Sequence, residues 1–311
     1  MSDRIARNSP QSAREFRILA LGALLMLLPG CVMTVSSAQV LRSPPLSARF
    51  DHEKIATFFF TSSYFEGVRE VTRTPVEIRM RDDAKLRGYA LTTPRARAAL
   101  IFFHGMRGIM YPSRDFLVRI AGMFDVNIVA VDYRGYGFSE GKPDLATICR
   151  DAREVFDWAR DNLTPRLPLF SFGYSLGTGF ALDLGVNRDV AGVILIAPFT
   201  TSQDFFAARV LWWSAGLIRL RGDASLSDYH PQPVENAARL KAPLLVIHSD
   251  CDDVIPYSLG EKLFDAAASP HKAFVVMPGV GHMQLKLAPP PTGPMLREFL
   301  DQFAGRAASD D

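Results

Sequence analysis

The sequence predicts an α/β domain built on a mostly parallel sheet. The first observation is a series of continuously apolar runs of strand length: AALIFF (98–103), NIVAVDY (127–133), LPLFSF (167–172), VAGVILIA (190–197), APLLVIH (242–248) and KAFVVM (272–277). Continuous rather than alternating apolarity suits strands covered on both faces, as helices cover a parallel sheet. The second is the helical patterning between these runs, which gives the strand–helix alternation of an α/β domain. The third is that the residues best suited to chemistry fall at the carboxyl ends of the runs, where such sheets place their sites.

Taken in chain order, the first thirty residues read as an export signal. Arg4, Arg7, Arg14 and Arg17 precede the apolar run Ile18–Leu28. A basic segment followed by roughly 7–15 apolar residues is a secretory signal, and the run is short for a membrane span. It ends in LPGC (28–31), which resembles the bacterial lipobox. That resemblance implies that Cys31 is diacylated and becomes the first residue after cleavage. It places the protein in a bacterial cell envelope, anchored by lipid in the outer membrane and facing the periplasm. Removing residues 1–30 takes away four arginines and two acids, Asp3 and Glu15, which leaves the two signs equal. Attachment then rests on acyl chains, each buried methylene contributing about 0.8 kcal/mol, rather than on attraction to anionic headgroups.

Residues 31–50 are rich in Ser and Pro and read as a tether, with the domain proper spanning 51–304 and a flexible tail at 305–311. VEIRM and KLRGYAL, either side of Arg81–Ala84, read as an antiparallel hairpin that leads into the alternating core. LATICRDAREVFDWARDNL (145–163) has apolar residues at helical spacing, Leu145, Ile148, Ala152, Val155, Phe156 and Ala159. A helix is expected from Ser175 to about Val186, and two more in SLGEKLFDAAA and PMLREFLDQFA. Residues 200–236 break the alternation. Phe206, Val210, Trp213, Leu217 and Leu220 recur at helical spacing, which predicts a small helical cap, packed over the sheet edge or walling a substrate pocket. Cys149 and Cys251 lie far apart in unlike settings and read as free thiols.

Overall charge excludes one class of partner. The chain has 35 basic and 33 acidic residues without a long block of either sign, unlike a nucleic-acid binder with its concentrated basic face.

The chemistry centres on FSFGYSLGTGF (170–180). Ser175 follows a buried strand and opens a helix, with Gly173 and Gly177 where a sharp turn crowds the backbone. That context makes G-x-S-x-G a nucleophile elbow. A hydroxyl needs a base to remove its proton, and an acid to hold the base. Of six histidines, His282 stands in the glycine-rich loop PGVGHM immediately after a strand, where an imidazole can reach over the sheet. The acid is expected in SDCDDVIPY, which offers Asp250, Asp252 and Asp253.

With these residues assembled, roughly residues 75–304 resemble the α/β-hydrolase superfamily, and within it the serine aminopeptidase/lysophospholipase-like branch. The order Ser175, acid, His282 is that fold's order. The branch's acid loop commonly reads H-G-x-x-D-x-x-V/I-P, and its spacing from His248 and Pro256 selects Asp252, with Asp253 as runner-up. Ser249 stands where the glycine is usual. FFHGMRG (102–108) resembles the oxyanion segment, which implies backbone N–H donation by Met106 together with Leu176. DYRGYGFSEG (132–141) matches the branch's D-x-R-G-x-G-x-S turn, in which Asp132, Arg134 and the glycines are structural and Ser139 is no rival nucleophile.

The resemblance implies a serine hydrolase that cleaves a carboxylic ester, of a small molecule or a lipid, through a Ser-Asp-His triad. It needs neither metal nor cofactor. Thioester and peptide amide cleavage are the neighbouring expectations, and a binding protein that keeps the fold without the activity is the alternative from another class.

Overall fold

The structure is a computed structural model that describes residues 31–35, 70–106, 110–163, 166–204, 218–222, 232–282 and 292–305. The expected signal segment, most of the tether and cap, and residues 306–311 lie outside the described residues. Eight strands form the main sheet. They are β2 (Thr72–Arg79), β3 (Lys85–Thr92), β4 (Ala98–Phe103), β5 (Val126–Val131), β6 (Leu169–Tyr174), β7 (Gly192–Ile196), β9 (Leu244–Ser249) and β10 (Lys272–Met277), in spatial order β10-β9-β7-β6-β4-β5-β3-β2. From β5 to β10 every pairing is parallel, while β2–β3 and β3–β5 are antiparallel. The expected hairpin is therefore the antiparallel margin of a parallel sheet.

Every residue of β4, β5, β7 and β9 is buried, as their uninterrupted apolarity requires. The margins read differently: β2 is largely exposed, and Pro75 is tolerated there because an edge strand has one side without a ladder partner. Helices α1 (Met110–Phe124), α2 (Leu145–Asn162), α3 (Gly177–Asn187), α4 (Pro233–Ala237), α5 (Tyr257–Ala266) and α6 (Thr292–Ala304) connect or flank the strands. Helix α2 begins where Asp144 accepts from the Thr147 N–H, satisfying one of the amides a helix start leaves unpaired. It buries the apolar stripe its spacing predicts, including Leu145, Ile148, Ala152, Val155, Phe156 and Ala159. Cys149 is buried on the same helix and Cys251 is exposed, both as free thiols.

Three features depart from the sequence expectation. Residues Cys31–Val35, expected in a tether, form strand β1, which pairs in parallel with β8 (Ile218–Gly222) as a separate two-stranded sheet. Strand β8 falls inside the region expected to be a helical cap, so at least this stretch is extended. An available strand partner outweighs local helical spacing there. The helix after the elbow begins at Gly177 rather than Ser175, because Ser175 has φ +54° and cannot be its first residue. Among the described residues, no helix is long and apolar enough to cross a membrane.

The D-x-R-G turn has the structural role expected of it. Arg134 donates to both carboxylate oxygens of Asp151 on α2, at 2.5 and 2.8 Å, and to both of Asp82 in the hairpin turn, at 2.6 and 2.8 Å. One buried guanidinium thus ties the antiparallel margin to a helix. Ser139 Oγ donates to Asp132 O at 2.7 Å and accepts from the Arg87 N–H at 2.9 Å, so it too is engaged in the loop. Because the Asp151 side chain is only 3% exposed, removing it leaves the buried guanidinium with only its contacts to the more exposed Asp82. Asp151→Ala should cost about 2 kcal/mol, read from urea unfolding. A loss below about 1 kcal/mol, the range of a surface pair, would contradict this reading of the network.

Candidate active site

The nucleophile candidate is held by backbone constraints. Ser175 lies between the end of β6 and the start of α3, in the left-handed region that non-glycine residues avoid. A Cβ at Gly177 would lie 2.0 Å from Phe103 O, and one at Gly173 would lie 2.6 Å from Gly177 O and from Thr178 Cα. Both glycines are therefore required by close backbone approach. Further bonds brace the turn: Ser175 N–H donates to Ile196 O at 2.9 Å, and the Thr178 hydroxyl donates to Ser175 O at 2.6 Å. At the end of the neighbouring strand Ala197 also has positive φ, a second strained residue beside the elbow that its side chain does not signal.

The structure brings the three expected side chains together. His282 Nε2 lies 3.1 Å from Ser175 Oγ, and His282 Nδ1 lies 2.8 Å from Asp252 Oδ2. With Nδ1–H donated to the carboxylate, Nε2 is left to accept the serine proton. Asp252 Oδ1 accepts from the N–H groups of Val254 and Ile255, both at 2.8 Å. Burial by itself would raise the Asp252 carboxyl. Hydrogen bonds from His248 and His282, the charge of His282 and the Ile255 amide outweigh it and hold the group well below the usual carboxylate range. It is ionised wherever His282 could serve as a base. His248, fully buried, has Nε2 3.1 Å from Ile255 O and 3.5 Å from Asp252 Oδ2, so it faces the same carboxylate oxygen as His282.

The remaining acids of the same loop also reach across. Asp253, the runner-up for the acid, instead accepts from the His282 backbone N–H at 2.9 Å. Asp250 accepts from the Gly279 N–H at 2.7 Å, and Ser249 Oγ donates to Val280 O at 2.5 Å. Four side chains of the acid loop thus fasten the histidine loop. Tyr174, which sequence reasoning passed over, donates its hydroxyl to His282 O at 2.8 Å and stacks on its imidazole. The one sequence signal was a large aromatic residue between the glycine and serine of the elbow.

The expected oxyanion segment lies alongside. A Cβ at Gly105 would lie 3.3 Å from Ser175 Cβ, so the backbone at Gly105 runs against Ser175, while Leu176 is the cap residue from which α3 begins. Residues 107–109 lie outside the described residues, and so do His52 and His230. Cys31, the expected lipid anchor, is the first residue of β1. His271 is exposed in its turn.

His104, at the end of β4, is fully buried with its ring stacked on Tyr133 at 3.8 Å. Its Nδ1 donates to Gly105 O at 2.8 Å, and its Nε2 accepts from the Tyr133 N–H at 3.4 Å. That pattern uses the neutral ring, and burial pulls its pKa from 6.5 down to about 4.

This geometry accompanies a family match. Residues 94–223 and 212–286 match the family model described as serine aminopeptidase, S33. The chain belongs to this family of α/β hydrolases. An uncharacterized protein of Mycobacterium tuberculosis is 33% identical over 211 residues, 67% of this chain and 71% of that protein. The lysophosphatidylserine lipase ABHD12 of Danio rerio is 30% identical over 193 residues, 58% of this chain, and the match spans 50% of the lipase's length. An esterase from Pyrococcus furiosus shares the fold with a TM-score of 0.60 at 18% identity, over 75% of this chain and 91% of that structure.

The depressed pKa of His104 makes it a pH-dependent element of the hydrolase. Between about pH 4 and 6.5 the unfolded chain binds a proton on this group that the folded chain excludes, so stability falls as pH falls through that window. The interval corresponds to about 3 kcal/mol. His104→Gln should flatten the acid side of a stability–pH curve measured by chemical denaturation. An unchanged slope between pH 6.5 and 4 would assign the acid sensitivity to other groups.

Proposed function

We propose that the protein is a serine hydrolase that cleaves a carboxylic ester by acyl transfer, with Ser175 as nucleophile, His282 as general base and acid, and Asp252 as its supporting carboxylate. The observation that carries this reading is the continuous line of contacts from Asp252 through His282 to Ser175, at 2.8 and 3.1 Å, on a strained elbow at the start of a helix.

As Ser175 Oγ attacks the ester carbonyl, its proton passes to His282 Nε2. The forming oxyanion accepts from the backbone N–H groups of Met106 and Leu176. One such donor typically contributes about 3–4 kcal/mol to the transition state. Collapse of the tetrahedral intermediate breaks the bond to the leaving alkoxide, which takes the proton from His282. Water then attacks the acyl-enzyme with the same base, and Ser175 recovers its proton as the acid leaves. Asp252 stays ionised throughout and stabilises the imidazolium.

The similarity to a protein named as a lysophosphatidylserine lipase supports a lipid ester as substrate. The family model's description as a serine aminopeptidase supports amide cleavage as the second reading. Native protein should react with a fluorophosphonate probe and hydrolyse p-nitrophenyl esters of graded chain length, while Ser175→Ala does neither. Asp252→Asn should lower kcat by roughly 10⁴. A folded native protein that the probe leaves unlabelled would sink the proposal. Faster turnover of aminoacyl p-nitroanilides than of any ester would transfer it to the peptidase reading.

We further propose that the protein is exported and lipid-anchored through Cys31 in the outer membrane, facing the periplasm. The basic leader, the apolar run and LPGC support this. Because β1 starts at Cys31 and pairs with β8, an acyl anchor there would hold β8 close to the bilayer. Cys31→Ser should move the protein from the membrane to the soluble fraction. Unchanged partition would refute lipidation at this residue.

A further inference from the structure

The geometry points to Tyr174 as the positioning residue that sets the catalytic histidine relative to the nucleophile, by clasping His282 through both its backbone and its ring; this inference rests on the triad reading. Tyr174 is the last residue of β6 and the covalent neighbour of Ser175. Its hydroxyl donates to His282 O at 2.8 Å. Its ring lies against the imidazole with centroids 5.2 Å apart and planes 29° from parallel. The ring also meets the expected oxyanion segment, since a Cβ at Gly105 would lie 3.3 Å from Tyr174 Cδ1 and Cε1. One side chain therefore touches the base, adjoins the backbone expected to hold the oxyanion, and is one peptide from the nucleophile.

The need for such a clasp follows from the sequence of the histidine loop. PGVGH carries two glycines just before His282, so local conformation does little to fix where the imidazole points. Asp252 fixes the ring through Nδ1 and Asp253 fixes the peptide through its N–H. Both restraints come from the acid loop. Neither refers the ring to Ser175, which belongs to another loop. Tyr174 supplies that reference. The hydroxyl bond fixes the carbonyl side of the His282 peptide, and the stack restricts rotation of the ring about its side-chain axis. Burial pushes the phenol above its ordinary range, so the hydroxyl remains a donor throughout the working range. The ring also presents an aromatic face to a histidine that becomes cationic when Ser175 attacks, and such a face favours the cation. The clasp therefore acts more strongly in the transition state than in the resting enzyme, and its loss belongs in kcat rather than KM.

Tyr174→Phe removes the hydroxyl bond and keeps the stack, whereas Tyr174→Leu removes both. With p-nitrophenyl ester as substrate, the Phe variant should lose about tenfold in kcat, a fraction of the hundredfold that a 1 Å misplacement can cost. Its KM should stay within twofold, and its rate of fluorophosphonate labelling should fall in parallel. The Leu variant should fall further in both, with the thermal midpoint recorded for each variant. A Leu variant that matches native kcat and labelling rate overturns the role of Tyr174 while leaving the triad intact, and a Phe variant that matches them overturns the hydroxyl's part in it. Losses that appear as raised KM and lowered midpoint, with kcat preserved, also overturn it, because they mark a merely structural side chain. Failure of native protein to label overturns the triad reading itself and this inference with it. Those outcomes separate the two.

Discussion

The site depends on one close approach between backbones. Helix α3 can begin immediately after β6 only because Gly177 passes so near Phe103 O that a Cβ would lie 2.0 Å from it. That contact brings the start of the helix onto the end of β4, beside Phe103 and His104. It also forces Ser175 into the left-handed region, with its hydroxyl turned toward His282. Residues in such a conformation carry strain of order 1–3 kcal/mol that the surroundings must offset. The offset here is local: the amide of Ser175 is taken up by β7, and its carbonyl by Thr178.

A second constraint joins the two loops beyond the elbow. Ser249, Asp250, Asp252 and Asp253 each hold a different group of the loop from Gly279 to His282. Three of those four contacts go to backbone. The cluster of acids is thus a set of acceptors matched to amides and an imidazole. Parallel pairing of β9 with β10 keeps the loops at the same end of the sheet, so short side chains can span them.

Much of this was legible in the sequence, and the reasons separate by range. The buried strands announced themselves because a strand covered on both faces must be apolar throughout, and β4 occupies the residues its run marks; β10 does so too, although at the sheet edge only Val275 and Met277 of it are buried. The elbow was legible because its glycines are demanded by local sterics. Helix α1 was not singled out, although Leu117, Ile120, Ala121 and Phe124 fall on one helical face and are buried. Pro112 and Gly122 obscure the pattern. Composition could not choose among Asp250, Asp252 and Asp253, since each is an ordinary turn former; the resemblance selected Asp252, and it is Asp252 whose carboxylate meets His282 Nδ1. The strand at Ile218–Gly222 was read as helical because its partner, Cys31–Val35, lies at the far end of the chain. Tyr174 was passed over for the same reason: its function exists only in contact with a residue 108 positions away.

That separation has a consequence for biosynthesis. Ser175 and His282, the proposed nucleophile and base, lie 107 residues apart and follow different strands, with β9, whose loop carries the proposed acid, between β7 and β10 in the sheet. A nascent or translocating chain that has released Ser175 but not His282 carries an alcohol of ordinary reactivity, with no group to remove its proton. Chemical competence arrives in one step, when the last strand joins the sheet edge and its loop closes on the acid loop. On the proposed triad, the order of synthesis thereby withholds the activity until the fold is nearly complete.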